Sequence, residues 1–188
     1  RAFGAFDAKG HVLAALAAGG APLDRLSTMG PAPAHYHPGR SARLQLGKAV
    51  LAEFGELHPA LLASLDLPAG TAAAEIFLDA LPDRPWKARG PYAPPALMPL
   101  SRDFAFLVPA DLPAEALLRA VQGADRDLIA QVSLFDRFAG AGVPDGMISL
   151  AVSVTLQPRD RTLTDADLEG FAQKVEAAAG KLGARLRA

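Results

Sequence analysis

Cysteine is absent from this 188-residue chain, so it can build no disulfide, thiol nucleophile, thiolate zinc site or iron–sulfur cluster, and a reducing, cytoplasmic setting suits it. Charge of one sign is also lacking. The 19 basic and 20 acidic side chains leave a formal net charge of -1, which excludes a basic histone-like arm and an acidic solvating tail. No apolar run approaches the roughly 18 residues of a membrane span. The N-terminus has neither a starter methionine nor a basic-then-apolar leader pattern, so Arg1 reads as a cut inside a longer chain. What remains is 51% hydrophobic residues, enough for a real core, with 17 glycines and 16 prolines marking frequent turns.

Proline divides the chain. Pro82, Pro85, Pro91, Pro94, Pro95 and Pro99 crowd one stretch that is hard to read as helix or central strand. The expected organisation is a first domain over 1–82, a linker over 83–95 and a second domain over 96–188. Lys plus Arg against Asp plus Glu is 9 to 8 in residues 1–95 and 10 to 12 in residues 96–188, so the second half is the more acidic.

In the first half the pattern predicts a helix over Val12 to Ala18. Strands follow over Ala42 to Leu46 and Ala49 to Glu56, joined at Gly47-Lys48, then a helix opened by His58-Pro59 and a strand over Thr71 to Leu78. The second half predicts a strand over Arg102 to Val108 and a helix over Pro113 to Gln122 with Leu117, Leu118 and Val121 on one face. Two alternating strands, Leu128 to Ala139 and Met147 to Gln157, are joined by the glycine-rich loop Gly140 to Gly146. A helix capped at Thr162 to Thr164 and a short strand over Ala184 to Arg187 complete it. This βαββαβ order predicts an α+β, ferredoxin-like fold: an antiparallel four-stranded sheet with helices on one face and the other face open.

Candidate chemistry is sparse. His35, His37 and His58 have ligating side chains, two of them at i and i+2, but no carboxylate pattern supports them; the alternative is turn and capping histidines. Ser41, Ser101 and Ser149 lack the G-x-S-x-G context of a nucleophile, and no phosphate-cradling glycine loop is present. Asp136 and Phe138 share one strand face, and the hairpin brings Ser149 near them. An exposed aromatic beside a carboxylate and a hydroxyl can stack on an unpaired base and bind its edge. The other reading makes Phe138 a core residue and Asp136 a solvated strand end, and the exposure of Phe138 decides between them. Arg102, Arg137, Arg159 and Arg161 are candidate phosphate contacts.

Five motifs in one order carry a resemblance: Arg102-Asp103-Phe104-Ala105-Phe106, Leu134-Phe135-Asp136, Gly142-Val143-Pro144-Asp145-Gly146, Ser149-Leu150-Ala151 and the run from Gln157 to Asp165. They resemble the C-terminal anticodon-binding domain of the bacterial phenylalanyl-tRNA synthetase β subunit. Phe6-Asp7-Ala8-Lys9-Gly10, His37-Pro38-Gly39-Arg40-Ser41-Ala42 and Gly55-Glu56-Leu57-His58-Pro59 resemble the end of that subunit's class II synthetase-like module. The resemblance implies a catalytically silent first domain and an anticodon-binding second one. By motif, Ala105, Asp136, Phe138 and Ser149 match positions that meet the tRNA(Phe) anticodon; Arg102, Arg137 and Arg161, read from residue type alone, are added to them as expected tRNA contacts.

It further implies an α2β2 cytoplasmic enzyme whose α subunit uses ATP and Mg2+ to load phenylalanine onto tRNA. No cofactor, metal, DNA or membrane is expected in this part. Two departures stand out: Phe138 occupies a position where many relatives have tyrosine, and Met147-Ile148 stand before Ser149 where a lysine is common. The reading from a different class is a stand-alone ferredoxin-like module for a small ligand or another subunit.

Overall fold

The computed structural model describes residues 2–83 and 94–187. Most of the proline-rich linker expected over 83–95 therefore lies outside the described residues. The chain divides into two compact units, Arg1–Arg89 and Gly90–Ala188.

In the first unit, helix α1 (Ala5–Ala18) packs Ala8, Val12 and Leu16 into a core shared with β2 (Tyr36–Leu46), β3 (Ala49–Leu57) and β4 (Ala72–Ile76) of a sheet that also holds β1 (Ser27–Met29), with the short helix α2 (Pro59–Ser64) between β3 and β4. The sheet is antiparallel in the order β1-β2-β3-β4. Helix α1 starts seven residues before the expected Val12. An interior glycine, Gly10, costs a helix about 1 kcal/mol, yet Ala8, Val12 and Leu16 recur every four residues and bury one stripe. The Gly4 backbone N–H donates to Asp7 Oδ2 at 3.0 Å and closes the first turn. Strand β2 runs back to Tyr36 through Pro38 and Gly39 because a register shift between Tyr36 and Ser41 absorbs them.

The second unit is built of β5 (Leu100–Pro109), α3 (Ala114–Gln122), β6 (Ile129–Phe138), β7 (Met147–Leu156), α4 (Asp165–Gly180) and β8 (Arg185–Leu186). Its antiparallel sheet has the order β6-β7-β5-β8. This is the ferredoxin-like arrangement. Leu117 and Val121 of α3 and Phe171, Val175 and Ala179 of α4 cover one face of the sheet. There they bury Phe106, Val108, Ile148, Leu150, Val152, Val154 and Leu156. Each such side chain contributes about 1.5–3 kcal/mol on leaving water, which makes this face the organising core.

Helix α4 begins with a reciprocal cap. Thr164 Oγ1 accepts the Asp167 N–H at 3.3 Å, while Asp167 Oδ2 accepts the Thr164 N–H at 2.8 Å. Among the described residues, no helix is long and apolar enough to cross a membrane.

Candidate nucleic-acid interface

Strand pairing sets which side chains share the uncovered face of the second sheet, because directly opposed residues in an antiparallel ladder point the same way. Phe138 opposes Ser149, Ser149 opposes Leu107, and Leu107 opposes Arg185, giving one row across all four strands. Asp136, Ala151 and Ala105 form the neighbouring row. Ala105, Asp136, Phe138 and Ser149 thus occupy two adjacent rows of one face.

That convergence depends on a defect. Strict alternation along β6 from Leu134, opposite core residue Val152, would turn Asp136 and Phe138 toward the helices. The register instead shifts between Leu134 and Asp136, leaving Phe135 as the extra residue of a bulge. Downstream of it the phase is reversed. Asp136 opposes Ala151, and Phe138 is 40% exposed, so its ring belongs to the surface. Ser149, between Phe138 and Leu107, is buried.

The loop after β6 adapts to the ring. A Cβ on Gly140 would lie 2.9 Å from Phe138 Cζ, so a glycine there leaves the ring its place. Gly142 and Gly146 adopt positive φ, as a tight hairpin connection requires.

The expected supporting arginines lie elsewhere. Arg102 opposes Val154 and Arg137 opposes Leu150, both core residues, so these two arginines point away from Asp136 and Phe138. Arg161 is held at the start of α4 by a two-pronged pair with Asp167, Nη1–Oδ2 at 2.6 Å and Nη2–Oδ1 at 2.8 Å. That bond and the Thr164 cap keep the Asp167 carboxyl well below its ordinary pKa.

A different arginine reaches the site, one that the sequence reading assigned only to the last strand. The Arg187 N–H donates to the Ala105 carbonyl at 2.8 Å, extending the β5–β8 pairing by a residue, and its guanidinium carbon lies 5.7 Å from the Phe138 ring centroid. Its signal was the alternation Arg185-Leu186-Arg187, with Leu186 opposite core residue Phe106 and both arginines on the open face.

The histidines are occupied singly. His35 Nε2 lies 3.6 Å from Glu75 Oε2, His37 Nδ1 accepts the Gly39 N–H, and His58 Nδ1 accepts the Ala60 N–H at the start of α2. Among the described residues no group of three His, Cys, Asp or Glu side chains is placed to hold a metal ion. A cavity of about 340 Å³ in the first unit is lined by Phe6, Lys9, Phe54, Arg40 and Glu56, the last two paired at 2.9 Å.

Residues 95–187 match the family model of the ferredoxin-fold anticodon binding domain, and residues 1–78 match that of the phenylalanyl tRNA synthetase beta chain CLM domain. Among curated proteins, the phenylalanine–tRNA ligase beta subunit of Novosphingobium aromaticivorans is 54% identical over 98% of this chain. Those of Zymomonas mobilis and Paramagnetospirillum magneticum are 49% and 47% identical over 99% and 100% of it. The chain belongs to the phenylalanine–tRNA ligase β-subunit family. It spans 24% of the length of each of these relatives. Family membership and the anticodon-binding domain favour the RNA reading over that of a stand-alone ligand or subunit module.

Proposed function

We propose that the second unit binds the anticodon region of tRNA(Phe) as part of a phenylalanine–tRNA ligase, an enzyme that joins phenylalanine to its tRNA at the expense of ATP. In this reading the chemistry, with ATP and Mg2+, takes place in a partner α subunit of a cytoplasmic α2β2 assembly. The present chain positions the tRNA. The observation that carries the reading is the cluster on the open face: an exposed Phe138 ring in adjacent rows with Asp136, Ser149 and Ala105.

The physical roles follow from residue type. Phe138 offers a π-face on which an unpaired base can stack. Among the described residues Asp136 forms no ion pair, so its carboxylate is available to accept from N–H groups on a base edge, and Ser149 supplies a hydroxyl in the same row as the ring. Ala105 is small, which lets a base approach the strand. The net charge of the 96–188 half is -2, so bulk electrostatics contributes little and affinity rests on placed groups together with contacts elsewhere in the assembly.

The test compares, in the assembled enzyme, binding of tRNA(Phe) with that of a tRNA altered only in its anticodon. Discrimination that disappears in Phe138→Ala supports the reading. Equal binding of both tRNAs by the parent enzyme would return the module to a ligand- or subunit-binding role.

A further inference from the structure

We propose that Arg187 is a nucleic-acid contact of the open face. Its guanidinium rests on Phe138 while the site is empty and passes to a backbone phosphate when a base takes its place on the ring. This rests on the RNA-binding reading above and adds to it a residue and a mode of action.

Three observations converge on it. The backbone of Arg187 is anchored by its N–H to the Ala105 carbonyl at 2.8 Å, at the β8 edge of the sheet. Phe138 is on β6, at the opposite edge. With strands about 4.8 Å apart, the two side chains must lean toward each other over β5 and β7 to bring the guanidinium carbon 5.7 Å from the ring centroid. In the row of Arg187 these strands carry Ala105 and Ala151, whose small methyl groups leave room for that approach.

The second observation is availability. Among the described residues Arg187 makes no ion pair, whereas Arg161 is committed to Asp167 and Arg119 to Glu115. An exposed guanidinium on a phenyl face is a weaker contact than a nucleobase on the same face. A base therefore displaces it, and a charge-assisted bond to phosphate becomes its best alternative.

The third is need. Arg102 and Arg137 oppose core residues and project from the helix-covered side, so the open face has no cation from either. Arg185 and Arg187 are the arginines that strand pairing brings to it, and Arg187 is the one that reaches the ring.

The experiment uses the full-length β subunit assembled with its α partner, labelled tRNA(Phe) and a series of monovalent salt concentrations. Four proteins are compared: parent, Arg187→Ala, Arg187→Lys and Phe138→Ala. For Arg187→Ala the log–log dependence of affinity on salt is expected to become shallower by about 0.7–0.9, the value for one phosphate contact. Affinity should fall several-fold at low salt and converge with the parent at high salt. Arg187→Lys should restore the slope, and Phe138→Ala should weaken binding at every salt concentration without changing it. A parent-like slope in Arg187→Ala, with affinity unchanged or raised, overturns the proposal and leaves Arg187 a mere cover for the ring. If Phe138→Ala and the altered anticodon are also without effect, the RNA-binding reading itself has failed.

Discussion

On the helix-covered face of the second sheet stand Phe106, Val108, Leu150, Val152 and Val154, all at 0–1% exposure. One residue along the same strands, on the open face, stand Ala105, Leu107, Ser149, Ala151 and Ser153. The covered face is selected by volume and hydrophobicity, since each of its side chains must fill a space bounded by α3 and α4. Apart from Leu107, these open-face positions of β5 and β7 are small or polar and lie beside the exposed Phe138 ring, and nothing in the packing of the core asks for that composition. A sheet with only structural duties would tolerate many substitutions there; this one concentrates its aromatic, carboxylate, hydroxyl and guanidinium groups in two rows.

The contrast can be broken by mutation, and the largest effect belongs to the covered face. Phe106→Ala should cost about 3–5 kcal/mol of stability, seen as a lower midpoint in urea; a parent-like midpoint would mean that the core is organised elsewhere. Phe138→Ala, on the open face, should reverse the balance. It is expected to reduce tRNA affinity by about 1–3 kcal/mol while leaving the urea midpoint almost unchanged.

Gly140→Ala sharpens the comparison further. Its new Cβ would meet the tip of the Phe138 ring at 2.9 Å, so the ring must tilt or shift. Binding should weaken by less than in Phe138→Ala, and a double variant should be no worse than Phe138→Ala alone.

The smallest effect is expected at Arg161. Because its guanidinium is engaged by Asp167, Arg161→Ala should leave tRNA affinity unchanged and alter only the acid limb of stability. The sign follows from the depressed Asp167 pKa. The stabilisation is complete above the ordinary carboxylate value of about 3.9 and is lost as pH falls through the lower folded value. A pH series of thermal melts on parent and variant, converging at the acid end and separating above it, checks this.

What the sequence disclosed depended on how regular the local pattern was. Strand β7 alternates without interruption from Ile148 to Leu156, and α4 announces itself through Thr164, Asp167 and the stripe of Phe171 and Val175, so both were legible. Placing Asp136 and Phe138 on one face was also legible, since two residues apart on a strand is enough. Which face they shared was not, because a bulge at Phe135 reverses the phase and leaves no mark in composition. The same reversal explains why Arg137, adjacent in sequence to two open-face residues, points to the helices. Strand β1, three residues long, is too short to show alternation. The place of Arg187 on the open face is not legible locally, because it depends on pairing with Ala105, more than eighty residues away in the chain, which no local window contains.

The bulge at Phe135 also separates two kinds of freedom within one strand. Upstream of it Ile129, Val132 and Leu134 face the side beneath the helices, while downstream Asp136 and Phe138 answer to whatever lies on the open face. Because the reversal uncouples the two segments, the second can be rewritten without repacking the first. A library confined to positions 136 and 138, with Phe135 and the upstream strand held constant, would explore new base or ligand preferences on a scaffold whose helix-covered core it leaves alone. In that sense the extra residue makes this face an exchangeable part.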